Sequence, residues 1–141
     1  MDEKYILQYG SLAGWPYKIA KGLRAKGLNS KNVILHDRDV HDLWRSLPYD
    51  EALSTLNANK WSKTKSIFNF INKAAQECSL IHYHSSNIFF RELHWLYEGR
   101  KFSNAKIPML LSFGGGDARP LEIARSKNKF YYKDPDIIKD F

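Results

Sequence analysis

The chain has 141 residues, 43% of them hydrophobic, and a formal net charge of +7 at pH 7. That length suits a single domain with its own core, and that composition excludes a disordered chain. One cysteine excludes an intrachain disulfide, and no apolar run approaches the roughly eighteen residues of a membrane span.

The N-terminal residues Met1 to Lys4 lack the apolar core of a signal peptide, so a cytoplasmic location is expected. The positive charge is clustered at Lys18, Lys21, Arg24 and Lys26, at Lys60, Lys63 and Lys65, and at Arg125, Lys127 and Lys129. Such an excess favours acidic partners, although solvated helix faces produce the same pattern. No finger spacing, RNP signature or helix-turn-helix pattern accompanies it. Nucleic acid is therefore not an expected partner; an anionic membrane surface, contacted peripherally, and a phosphorylated substrate stay open.

In chain order, Lys4 to Tyr9 predicts a first strand, and Gly10 to Gly14 a tight loop. Pro16 suits the first turn of a helix that runs to about Lys26 and stops at Gly27. Ile19, Ala20 and Leu23 mark its inner face. Asn32 to His36 predicts a second strand. The stretch from Trp44 to Ser54 carries no decisive pattern.

Lys60 to Gln76 predicts the longest helix, with Ile67, Phe68, Ile71, Ala74, Ala75 and Cys78 as its apolar stripe and Ser62 or Thr64 as N-cap. Cys78 reads as a small buried hydrophobe. A strand over Leu80 to His84 follows, then a helix from about Ile88 to Tyr97, capped by Asn87 and stopped by Gly99. The next strand covers Pro108 to Phe113, and Phe130 to Tyr132 is a last apolar stretch before Asp134-Pro135-Asp136. Strands alternating with helices predict an α/β fold. It is a single parallel sheet of about five strands with helices on both faces, in one domain spanning 1–141, and the first strand is central.

Two strand ends turn polar, and such ends build ligand sites at the carboxyl edge of open α/β sheets. One is His82-Tyr83-His84-Ser85-Ser86-Asn87; the other is Phe113-Gly114-Gly115-Gly116-Asp117-Ala118-Arg119. Gly10 to Gly14 can offer backbone N–H groups and a helix N-terminus to a phosphate, and a simple tight turn explains it equally well. It is neither a dinucleotide fingerprint nor a P-loop. Ser11 directly follows Gly10, so it does not form a nucleophile elbow. His82 and His84 share a strand face at a spacing that suits zinc. A third ligand would have to come from His36, His41, His94 or Asp117, and nothing fixes that geometry. No metal is expected: His82 reads as a hydrogen-bonded core residue, and His84 as a ligand contact. Asp117 and Arg119 either line the crevice or cap the following helix.

Together these segments resemble the N-terminal, acceptor-side domain of the retaining GT-B glycosyltransferases. The resemblance rests on Gly10 to Gly14, on Ser79-Leu80-Ile81-His82-Tyr83-His84, on Phe113 to Arg119, and on Phe130 to Ile138. It implies a Rossmann-like sheet. It also implies that Gly10, Ser11 and Gly14 face the phosphates of a nucleotide sugar, which is the donor substrate; no cofactor is implied. His84 would touch the transferred sugar as the catalytic-site residue, and Gly114, Gly115, Gly116, Asp117 and Arg119 would bind on the acceptor side. Enzymes of this family need a second Rossmann-like domain with the nucleotide pocket and a glutamate pair. This chain stops where the linker to that domain would begin. The expectation is therefore half of an enzyme, inactive alone, which pairs with a separate donor-binding domain or self-associates. A stand-alone anion-binding or scaffolding module, using its basic helices on nucleic acid or acidic membrane, is the alternative.

Overall fold

The computed structural model describes residues 4–37, 47–55, 57–84 and 94–112. Five strands form one sheet: β1 (Tyr5–Tyr9), β2 (Ser30–His36), β3 (Glu51–Ser54), β4 (Cys78–His84) and β5 (Met109–Ser112). The order is β3-β2-β1-β4-β5, and every neighbouring pair is parallel. β1 is central, as the strand–helix alternation predicts. Helix α1 (Trp15–Ala25) joins β1 to β2, α2 (Lys60–Glu77) joins β3 to β4, and α3 (Gly99–Asn104) precedes β5. Right-handed crossovers put α1 on one face of this Rossmann-like sheet and α2 and α3, which touch each other, on the other.

The core lies between the sheet and α2 and α3. Tyr5, Leu7 and Tyr9 of β1, Val33 of β2, and Ile81 and Tyr83 of β4 pack there against Ile67, Phe70, Ile71, Ala74 and Phe102. Side chains alternate across a strand. Gln8, Asn32, His82 and His84, the residues between them, therefore face the side of α1. Cys78 is fully buried, and burial pushes its thiol up to about 11, so it behaves as a small hydrophobe.

Four local expectations change. The N-cap of α2 is Asn59, whose side-chain oxygen accepts from Ser62 N at 2.8 Å, and not Ser62 or Thr64. Phe70 takes the core position, whereas Phe68 is half-buried with its ring 4.5 Å from that of Tyr97. Gly99 does not stop a helix: the chain passes through a π-helical turn at His94–Glu98 straight into α3. A glycine ends a helix by turning left-handed, and Gly99 is not among the positive-φ residues. Strand β3 arises where the sequence showed no pattern, because all four of its residues are only half-buried. Pairing with β2 creates it.

The polar residues around β3 tie the flank together. Arg24 Nη1 donates to Asp50 Oδ2 at 2.8 Å and to the Ser30 carbonyl at 2.7 Å, while Asp50 Oδ2 accepts from Asn32 N at 2.8 Å. Lys31 pairs with Glu51. Arg24 is thus a structural cation and not part of an open basic face. The predicted segments over 38–46, 85–93 and 113–141 lie outside the described residues.

Gly22 sits in the middle of α1 with nothing within 4 Å of a Cβ placed on it, whereas Gly14 has φ +75 and Leu47 Cδ2 at 3.4 Å. Gly22→Ala is expected to stabilise the protein by about 0.5–1 kcal/mol, the difference in helix propensity. Gly14→Ala should destabilise it by roughly 1 kcal/mol or more through left-handed strain. Urea denaturation of the two variants measures both, and equal midpoints would contradict the assignment.

Candidate functional site at the carboxyl edge

The order β3-β2-β1-β4-β5 reverses direction between β1 and β4: the chain leaves β1 toward β2 and leaves β4 toward β5. Loops leaving such a pair diverge to opposite faces and open a crevice at the carboxyl edge. Tyr9 and Tyr83 are in register, so Gly10 and His84 are the next residues on the two strands. The sheet thereby brings Gly10, Ser11 and Gly14 to the same edge as His84. Ser112 is in register with His84, so β5 ends at that edge too. Gly114, Gly115, Gly116, Asp117 and Arg119 lie outside the described residues.

The glycine loop is tightly wound. Gly10 has φ +120 and donates its N–H to the Val33 carbonyl at 3.0 Å, which carries the ladder one residue past the strand. A one-turn 3-10 helix at Leu12–Gly14 follows, closed by Gly14 N to Ser11 O at 2.7 Å. Ala13 is left-handed at φ 48 and Gly14 at φ 75. A left-handed alanine is a strained conformation that surrounding structure must hold in place. α1 starts directly after it, with Gly14 as N-cap and therefore no capping side chain. No side chain caps this helix start.

Beneath the loop lies a row of buried polar side chains that sequence reasoning missed. Gln8 and Asn32 are each 1% exposed. Asn32 Nδ2 donates to the carbonyls of Gln8 at 2.9 Å and Gly10 at 3.0 Å, clamping the end of β1. His84, 3% exposed, meets Gln8 Oε1 through Nε2 at 2.8 Å. The Nε2–H is the donor, which puts the ring proton on Nε2. His82 Nε2 meets Ser112 Oγ at 2.6 Å, and the two imidazoles lie 4.0 Å apart, tilted by 35°. His82 is hydrogen-bonded as expected but only half-buried and not a core residue; His84, expected to be the ligand contact, is the buried one of the two. A signal for the amides was present: a polar side chain inside an apolar parallel strand needs a buried partner.

Burial, reinforced by the neighbouring His82, lowers the pKa of His84 to about 4. Burial lowers that of His82 as well. At neutral pH both rings are uncharged. On the opposite face, Tyr83 donates its hydroxyl to the fully buried Glu98, and the rings of Tyr9 and Tyr83 meet edge to face 6.0 Å apart. Burial raises the pKa of both phenols, so they stay protonated. Glu98 sits on the π-helical turn and was not foreseen; such turns recur at functional positions. Among the described residues no group of three His, Cys, Asp or Glu could hold a metal ion, and no helix is long and apolar enough to cross a membrane.

Comparison with protein families, curated proteins and solved structures finds no match to this chain. Its fold is that of a Rossmann-like α/β protein whose sheet has a topological switch point between β1 and β4.

The titration of His84 has a measurable consequence. Its folded pKa lies below the ordinary 6.5, so between about 4 and 6.5 the unfolded chain binds more protons than the folded one. Stability is therefore complete above pH 6.5 and falls as the pH drops toward 4, by up to about 3 kcal/mol from this group. A His84→Gln variant lacks that component of the slope. Thermal denaturation of both proteins from pH 7.5 to 4 should show the gap between them narrowing in acid, and parallel curves would refute a buried neutral His84. Separately, Tyr83→Phe removes the hydrogen bond to the buried Glu98 carboxyl and should cost roughly 1–3 kcal/mol in urea titration.

Proposed function

We propose that this chain is the acceptor-side domain of a nucleotide-sugar-dependent glycosyltransferase, binding phosphate and sugar groups in the crevice between β1 and β4. The observation that carries this reading is the juxtaposition, at the switch point, of the strained Gly10–Gly14 loop with the buried, uncharged His84. Each part has a matching chemical task. The loop and the start of α1 offer backbone N–H groups and a positive helix end to phosphate oxygens. A neutral imidazole held by Gln8 is a fixed hydrogen-bonding group for a sugar hydroxyl and brings no charge that would hold the anion in one place.

Under this reading the domain contributes position and electrostatics. It holds the acceptor beside the donor, and backbone dipoles stabilise charge developing on the departing phosphate. Gly10, Ser11 and Gly14 are the phosphate-side contacts and His84 the sugar contact. Gly114, Gly115, Gly116, Asp117 and Arg119 belong to the acceptor side, where the planar fork of Arg119 suits phosphate or carboxylate. A separate donor-binding domain, or a second copy of the chain, supplies the nucleotide pocket.

The test is ligand titration followed by amide NMR. Inorganic phosphate and uridine diphosphate glucose should shift the amides of Gly10, Ser11 and Gly14, with affinities on the order of millimolar because one domain supplies only part of the contacts. Arg119→Ala should weaken binding by about tenfold or more at unchanged melting temperature, a loss typical of a charged contact. Because His84 is buried and bonded to Gln8, His84→Gln is a better probe than the alanine variant. Shifts confined to residues away from the loop, or normal binding by both variants, would overturn the assignment.

A further inference from the structure

Exposed lysines occur on several elements, Lys21, Lys26, Lys73, Lys101 and Lys106 among them, but only those at the starts of α1 and α2 stand beside exposed tryptophans. Arg24 and Lys31 are engaged by Asp50 and Glu51 on the flank of α1 and β3. The exposed Lys18, Lys60 and Lys65 stand instead in the first two turns of α1 and α2. Trp15, 60% exposed, and Trp61, 85% exposed, occupy the same turns. In a parallel βα sheet each helix begins at the carboxyl edge, so both clusters lie at that edge, α1 and α2 on opposite faces. Leu12, also exposed, lies in the loop that leads into α1.

Each cluster pairs an indole with an ammonium on one helix surface. Lys18 Nζ lies 5.9 Å from the centre of the Trp15 ring, and Trp61 and Lys65 are separated by one helical turn. Both clusters also depart from ordinary helix chemistry. Neither first turn contains an acidic residue, although acids are favoured there, and two large rings are left open to water. Two such departures at one edge suit an anionic partner with an apolar layer beneath its charge.

A lipid bilayer has that structure. Indoles settle at headgroup level, while a lysine lays its stem along apolar surface and keeps its ammonium among phosphates. Protein interface cores are depleted in lysine. A nucleic-acid strand is held along one basic groove with stacked aromatics, whereas these rings stand on helices on opposite faces of the sheet. Both helix starts lie at one edge of the sheet, which a flat surface could contact.

We infer that the carboxyl edge docks on an anionic lipid bilayer, with Trp15 and Trp61 as interfacial anchors and Lys18, Lys60 and Lys65 paired with lipid phosphates. The inference stands independently of what the crevice binds. It does turn the crevice toward the membrane surface, where a lipid-borne ligand would be within reach. The protein carries +7 net charge, so long-range attraction acts in the same direction.

The experiment uses the full chain with vesicles of phosphatidylcholine alone and of phosphatidylcholine mixed with phosphatidylglycerol. The protein should sediment with the mixed vesicles only, its tryptophan emission should move to shorter wavelength, and brominated lipid should quench it. Lys60→Gln combined with Lys65→Gln should weaken binding roughly thirtyfold, because each cation near an anionic surface contributes about fivefold. Trp15→Ala combined with Trp61→Ala should weaken it by on the order of a hundredfold and abolish most of the quenching. All four side chains are exposed or at the surface of helices, and unchanged circular dichroism confirms that the variants fold. Equal binding to neutral vesicles, no binding to either, or full affinity in the double-tryptophan variant would overturn the inference. Binding to an oligonucleotide without vesicle binding would overturn it as well, as would a Trp61-dependent dimer in its place.

Discussion

The arrangement of the carboxyl edge depends on one buried side chain, the amide of Asn32. Its Nδ2 group bridges the carbonyls of Gln8 and Gly10, where the ladder between β1 and β2 runs out and the chain must turn. Each bond to a buried carbonyl is worth about 1 kcal/mol net, and leaving such a carbonyl bare costs about 1–3 kcal/mol. The same residue's backbone N–H is held by Asp50, which is held in turn by Arg24 at the far end of α1. The turn at Gly10, the start of β3 and the end of α1 are thus connected through one strand position. The left-handed pair Ala13 and Gly14 can persist because the residues before them are pinned.

From that clamp the polar row continues across the sheet. Gln8 lies between Asn32 on β2 and His82 on β4 in the register, and its side chain meets His84, while His82 meets Ser112 on β5. Four strands therefore contribute to one layer of buried polar groups on the side of α1. The aromatic layer of Tyr9 and Tyr83, with Glu98 behind it, backs this row on the other face. Burying so many polar atoms adds little to stability, since each only recovers the hydration it lost. What it provides is a fixed orientation and an uncharged state for the histidines at the edge of the crevice.

The electrostatic character of the domain divides along similar lines. Arg24 and Lys31 on the amino-side flank are paired with Asp50 and Glu51 and serve the fold. Lysines at the helix starts face outward beside tryptophans, on the edge that also carries the glycine loop. Positive charge at such an edge would attract an anion over a distance, and neutral hydrogen-bonding groups would orient it by short contacts. The proposed sugar-phosphate ligand and the proposed bilayer both draw on that division.

The sequence by itself determined the class of the fold, the central first strand and the long helix. Each rests on local signals: apolar runs flanked by glycine, Pro16 at a helix start, and the three-and-four spacing of Ile67, Ile71 and Ala74. It also pointed to the glycine loop and to His84 as strand-end features, because a βα fold sends every such end to one edge. Tertiary structure alone decided the rest. Strand β3 has no buried residue of its own and exists because β2 offers an edge to pair with. The helix after β4 runs on through Gly99, where a local reading of glycine expects a stop, and it carries Glu98 into full burial beneath Tyr83. Gln8, Asn32 and Ser112 become site-forming residues only when four strands, distant in sequence, come into register. A hydrogen bond between residues 76 positions apart, such as that of Gln8 and His84, leaves no periodic trace in the chain.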